Sequence, residues 1–109
     1  MSVACGVDIT YIPWIKRLQK NDHKLRKFFD PTEITEASDE HIAGILAAKE
    51  AFFKALGKPP KFLEVKVINK KSGKPQLIPS PKFQTYISAD VSISHDKNYA
   101  IALVVLEMP

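Results

Sequence analysis

Residues 3–9, Val-Ala-Cys-Gly-Val-Asp-Ile, are small or β-branched and apolar except for one charge, Asp8, a pattern that predicts a buried strand. Between 11 and 29 the apolar positions Tyr11, Trp14, Ile15, Leu18, Leu25, Phe28 and Phe29 recur at helical spacing, and Pro13 suits a first helical turn. The polar break at Asn21 and Asp22 can cap a second helix, so the stretch reads as one helix or a broken pair. Asp30-Pro31-Thr32-Glu33 has the form of a capping box with proline at the first helical position, opening a short helix. Ser38 then caps the longest helix, residues 39–56, whose apolar stripe is Ile42, Leu46, Phe53 and Leu56 and whose stop is Gly57.

Pro59 and Pro60 forbid continuation, and from Phe62 the period becomes two, with Phe62, Glu64, Lys66 and Ile68 on one face and Leu63, Val65, Val67 and Asn69 on the other. A hairpin turn at 70–73 leads to a second strand, 75–78, and a short helical turn is expected within 81–86. The chain closes with strand 91–95, a turn at 96–98, and the apolar run 99–107, which fits a central or interface strand. The fold class is α+β: an antiparallel β-sheet packed against a long α-helix and shorter helices, in one domain spanning 1–109.

Composition narrows the partners. The 109 residues carry 16 Lys plus Arg against 12 Asp plus Glu, a net charge of +4, which favours acidic partners without choosing among them. No aromatics interleave the lysines on a strand face, so nucleic-acid binding has little support. No stretch has the apolar length of a membrane span, and the lone Cys5 reads as an inert, buried thiol in a reducing, cytoplasmic setting. His23, His41 and His95 form no zinc pattern, and neither a phosphate-binding glycine loop nor a dinucleotide fingerprint is present.

On the long helix Glu50 and Lys54 stand four residues apart, which in isolation reads as an ion pair. Asp8 changes that reading, because a carboxylate within an apolar strand needs a lysine, a metal or a hydrogen-bond network as partner. Two carboxylates and a lysine suit Mg2+ and a phosphate, since magnesium takes few protein oxygens and keeps the rest for water and phosphate. Ser92-Ile93-Ser94-His95 alternates along its strand, with both serines on one side and His95 leading to the turn.

Gly6-Val7-Asp8-Ile9-Thr10, Ala47-Ala48-Lys49-Glu50-Ala51-Phe52-Phe53-Lys54-Ala55-Leu56-Gly57, Gly73-Lys74-Pro75 and Ser92-Ile93-Ser94-His95 with Tyr99-Ala100 occur in that order. Together they resemble the motif set of the holo-[acyl-carrier-protein] synthases, the small trimeric type of 4′-phosphopantetheinyl transferase, over nearly the whole chain. The resemblance implies the fold of that family and transfer of the 4′-phosphopantetheine arm of coenzyme A to a serine of an acidic acyl carrier protein, releasing adenosine 3′,5′-bisphosphate. It implies that Asp8 and Glu50 hold Mg2+, that Lys54 steadies the phosphates, and that Ser94 and His95 contact coenzyme A phosphates. Gly73, Lys74 and Pro75 would line the nucleotide pocket. It further implies a homotrimer with His95 of one protomer beside Asp8 and Glu50 of the next. The serine's proton needs a base, for which Asp8, Glu50 and a metal-held water are candidates. Lys16, Arg17, Lys20, Lys24 and Arg26 are the expected docking charges for the carrier.

Three positions depart from that family's pattern. Trp14 stands where the family carries an arginine, and Ile45 or Leu46 where it carries another before the Ala-Ala-Lys-Glu motif. Lys58-Pro59-Pro60-Lys61 replaces a glycine-rich loop, with its two lysines available to compensate by charge. A carrier other than that of fatty-acid biosynthesis is therefore favoured. The alternative class is a non-enzymatic trimeric relative that binds a nucleotide or an acidic protein.

Overall fold

The computed structural model describes residues 1–109, in the order β1 (Ser2–Tyr11), α1 (Ile12–Leu18), α2 (Asp22–Leu25), α3 (Pro31–Ile34), α4 (Asp39–Leu56), β2 (Val65–Asn69), β3 (Pro75–Pro79), β4 (Ser88–Asp96) and β5 (Tyr99–Met108). Single 3-10 turns stand at Phe62–Glu64 and Pro81–Phe83. The expected strand from Phe62 thus begins only at Val65, because the chain leaving Pro60 must first turn back toward α4. Strands β1, β5 and β4 form an antiparallel sheet in that order, and β2 and β3 form a separate hairpin beside β4. The helical stretch after β1 is the broken pair, with the Asn21 side chain accepting from Lys24 N–H to start α2. No helix is long and apolar enough to cross a membrane.

Residues directly opposite in a sheet share a face, so the register sorts the side chains. Gly6, Asp8 and Thr10 on β1, Ala100, Ala102, Val104 and Leu106 on β5, and Val91, Ile93 and His95 on β4 share the face toward α4. The opposite face has no cover: Val7, Ile9, Tyr99, Ile101, Leu103 and Val105 are between 37% and 60% exposed. This corrects two expectations. Residues 3–9 are buried on one side only, and Cys5, on the open side, is exposed rather than sheltered. The reason is the single layer of helix, which leaves every second residue of the sheet bare.

Helix α4 carries much of the buried core. Ser38 Oγ accepts from His41 N–H at its start and Gly57, at φ 69°, ends it in the left-handed conformation. Two glycines set its path. A Cβ on Gly44 would lie 2.6 Å from Ile93 Cγ2, and one on Gly6 only 2.1 Å from the Ala51 carbonyl oxygen. The helix therefore crosses the sheet from β4, touched by its first half, to β1, touched by its second.

A buried ion pair locks this helix to the smaller elements. Lys49 Nζ donates to Glu33 Oε1 (2.7 Å), Phe28 O (2.7 Å) and Phe62 O (2.9 Å), while Glu33 Oε2 accepts from Val67 N–H (2.9 Å). Glu33 Oε1 also accepts from Asp30 N–H, and Asp30 Oδ1 from Thr32 N–H, so the predicted capping box is formed. Both charged side chains are fully buried; burial pulls Lys49 below the usual lysine value, and Glu33 opposes that pull.

Candidate active site

Asp8 projects from the inner face of β1 with its side chain 9% exposed. Lys54 Nζ donates to Asp8 Oδ1 at 2.9 Å and to Val7 O at 3.1 Å. The partner of Lys54 is therefore Asp8 on the facing strand rather than Glu50 on its own helix, because the close approach at Gly6 brings β1 within reach of that turn. The hydrogen bond to Asp8 raises Lys54 above the usual lysine value. Asp8 Oδ2 is buried and has no hydrogen-bond partner.

Glu50, half-buried one helical turn before Lys54, completes this corner. Its burial and then the neighbouring Asp8 push its carboxyl up to about 7, with Lys54 pulling the other way. Two carboxyl groups that crowd one another, one with an orphaned oxygen, fit a divalent cation: it would satisfy Asp8 Oδ2 and neutralise the charge that burial penalises. No third His, Cys, Asp or Glu joins them, so such an ion would take its remaining oxygens from water and substrate, as magnesium does.

A second group assembles around the hairpin. Gly73, Pro75 and His95 line a cavity of about 440 Å³ together with Ser38, Asn69 and His41. Gly73 sits at φ 88°, a conformation that favours glycine in this turn. His41, read from the sequence only as a polar helix position, is brought here because the first half of α4 lies over β4. Two expected members are elsewhere. Lys74 Nζ turns from this cavity to pair with Asp90 at 2.9 Å, pinning the hairpin to β4, because alternate residues of a hairpin point to opposite sides. Ser94 lies opposite Ile101 on the open face of the sheet, away from His95.

The two groups are separated by the path of α4. His41 and Glu50 are nine residues apart on one helix, about 13 Å along its axis. Across the sheet, β5 stands between β1 and β4, which places the outer strands about 10 Å apart. The cavity that holds His95 has none of Asp8, Glu50 or Lys54 in its wall. The carboxylate corner and the His95 cavity thus lie apart, on either side of the path of α4.

Beyond Glu50, a cleft of about 230 Å³ is walled by Ile9, Thr10, Tyr11, Leu46 and Trp14. Trp14 also floors a larger groove, about 530 Å³, with Phe28 and the cations Arg17, Lys24 and Lys27 around it. Of the expected docking charges, Arg17 and Lys24 line this groove, whereas Lys16 lies 4.0 Å from Asp39 and Arg26 pairs with Asp22 at 2.8 Å. Lys58 does not turn to the site: its ammonium lies over the Phe83 ring, 5.6 Å from the centroid.

Residues 4–104 match the 4′-phosphopantetheinyl transferase superfamily. A holo-[acyl-carrier-protein] synthase of Ehrlichia ruminantium (strain Gardel) is 36% identical, with 97% of each chain covered, and one of Bacillus cereus (strain G9842) is 34% identical, covering 98% of this chain and 97% of its own. Among solved structures, the Helicobacter pylori holo-[acyl-carrier-protein] synthase in complex with coenzyme A superposes with a TM-score of 0.87 at 32% identity, covering 94% of this chain and 99% of that one. The α+β architecture, the order of the motifs and these full-length similarities agree: the chain belongs to the 4′-phosphopantetheinyl transferase superfamily, in its holo-[acyl-carrier-protein] synthase family, and is a transferase.

Proposed function

We propose that this chain, one domain over 1–109, transfers the 4′-phosphopantetheine arm of coenzyme A to a serine hydroxyl of an apo acyl carrier protein in a Mg2+-dependent reaction. The serine oxygen forms a new bond to the phosphorus that bears the pantetheine arm, the pyrophosphate bond breaks, and adenosine 3′,5′-bisphosphate leaves. The observation that carries the reading is the orphaned Oδ2 of Asp8 beside Glu50 and Lys54. Relatives named for this activity, and neighbours crystallised with coenzyme A, support it.

Asp8 and Glu50 would hold the ion, which when bound would neutralise the pyrophosphate and its developing charge. Lys54, already 57% exposed, has only to swing its ammonium from Asp8 toward the phosphates. Gly73 and Pro75 line the nucleotide cavity and His95 contacts phosphate there, while Lys74 keeps the hairpin seated through Asp90. The bare apolar face of β1 and β5 is the surface on which protomers join into a homotrimer, and joining sets His95 of one protomer beside Asp8 and Glu50 of the next. Such an enzyme works in the cytoplasm, where an unpaired thiol such as Cys5 stays reduced.

Mixing the protein with coenzyme A, Mg2+ and a panel of apo carrier proteins, and weighing the carriers intact, tests this reading. Addition of the phosphopantetheine mass to a carrier, lost with EDTA, is the expected result. No addition on any carrier, with no coenzyme A binding by calorimetry, sinks it in favour of the non-enzymatic relative.

A further inference from the structure

We infer that His41 binds the 3′-phosphate of coenzyme A and so sets a preference for coenzyme A over 3′-dephospho-coenzyme A. The inference rests on the transferase reading above and adds a specificity-determining residue to its nucleotide cavity. In the wall of that cavity, about 440 Å³, only His41 and His95 can carry a positive charge; Glu40 is the one acid, and Ser38 and Asn69 are polar and uncharged. The lysines of the hairpin supply none. Lys70 and Lys74 line a separate cavity with Asp90, to which Lys74 is paired at 2.9 Å, Lys66 lies 3.4 Å from Asp30, and Lys71 is exposed outside the wall.

One close contact explains why both imidazoles reach the same cavity. A Cβ on Gly44 would stand 2.6 Å from Ile93 Cγ2, so α4 meets β4 at that turn with no side chain between them. His41 lies three residues before Gly44, on the same face of the helix, and His95 lies two residues after Ile93, on the same face of the strand. The crossing that requires Gly44 therefore sets the two histidines on facing walls, one from α4 and one from β4, with Ile93 lining the same space. The backbone of His41 is fixed by the helix cap, its N–H donating to Ser38 Oγ at 3.1 Å, while its side chain stays exposed to the cavity.

Coenzyme A carries phosphate on both sides of its ribose. In the proposed trimer the pyrophosphate side lies at the Asp8 and Glu50 corner of the neighbouring protomer, and His95 stands at that end. The 3′-phosphate is across the ribose, and His41 is the one other group in the wall able to meet it with positive charge. An imidazolium donates a charge-assisted hydrogen bond to phosphate, stronger than one between neutral groups. Without that donor the 3′-phosphate faces Glu40, a charge of its own sign, so the cavity has no other means of favouring it.

Steady-state transfer to one apo carrier protein, with coenzyme A and with 3′-dephospho-coenzyme A, tests the inference. The unsubstituted protein is expected to prefer coenzyme A about tenfold in kcat/KM, the worth of one charge-assisted hydrogen bond, and His41→Ala to bring that preference below about twofold. His41→Gln, which keeps a hydrogen-bonding side chain without the charge, should lose most of the preference, and His41→Arg should keep it. A smaller folded fraction lowers both rates together and leaves their ratio alone, so the ratio separates phosphate recognition from a structural role. An unsubstituted protein that does not distinguish the two substrates, or His41→Ala that retains the preference, overturns the inference and leaves the transferase reading standing. If the unsubstituted protein modifies no carrier, that reading fails and calorimetry decides the inference. Adenosine 3′,5′-bisphosphate bound about tenfold more tightly than adenosine 5′-monophosphate, with the difference gone in His41→Ala, upholds it. Equal binding of the two nucleotides, binding of neither, or a difference that survives in His41→Ala overturns it.

Discussion

At Asp8 and Glu50 two carboxyl groups compete for one half-dry corner, where a proton would be the rival of the proposed Mg2+. Because Glu50 is pushed up to about 7, Mg2+ affinity should weaken as pH falls below neutrality, approaching tenfold per pH unit well below it. Calorimetric titration between about pH 6 and about pH 8 should show affinity rising and then levelling off. For the metal-free protein the sign is opposite: a carboxyl raised in the folded state stabilises at low pH, and that contribution is lost as pH rises through about 7. Thermal melts without Mg2+ should therefore show this loss as pH rises from about 4.5 to about 7, and Glu50→Gln should flatten it. Asp8, Glu50 and Lys54 were legible as chemistry because a charge inside an apolar strand demands a partner. Which lysine answered it was not, since i,i+4 spacing on a helix says nothing of what the facing strand offers.

Among the elements, α4 does most of the positioning, and its closeness to β1 depends on Gly6. A methyl group there would sit 2.1 Å from a backbone oxygen, so Gly6→Ala must push β1 and α4 apart. The expected outcome is a loss of stability of about 1–3 kcal/mol in urea titration, with weaker Mg2+ binding as Asp8 moves from Glu50. The other anchor is Lys49 with Glu33. Glu33→Ala leaves a buried ammonium without its carboxylate and should cost about 3–5 kcal/mol, more than removing an exposed cap, by the same titration. The helices themselves were readable from their caps, as Ser38, Asn21 and the Asp30 box show. Lys49 was not, since a lysine beside a glutamate on a helix looks solvated until the surrounding carbonyls are known.

On the scale of the whole molecule, the proposed homotrimer would account both for the separation of His95 from Asp8 and Glu50 and for the bare sheet face. Sedimentation should give a trimer, and Leu103→Glu, which sets a charge amid that apolar face, should give monomers without transferase activity. A sharper check mixes two inactive variants, Glu50→Gln and His95→Ala, unfolded and refolded together. If a site is built from Glu50 of one protomer and His95 of another, the refolded mixture as a whole recovers about a quarter of the activity. If both groups act within one protomer, none returns.

The linear order of residues determined most local elements by itself: the caps, the break at Asn21, the stop at Gly57 and the hairpins follow from side chains a few residues apart. It also displayed the motifs by which the family is recognised, because those residue types occur in a fixed order. Only the tertiary structure decided which face of β1 stays bare, that Cys5 lies on it, that Lys54 answers Asp8 and Lys49 answers Glu33, and that Lys74 and Ser94 leave the cavity where Gly73, Pro75 and His95 meet His41. Each of these depends on what lies across a gap between elements distant in sequence. The path of α4 sets those gaps, through its close contacts at Gly6 and Gly44.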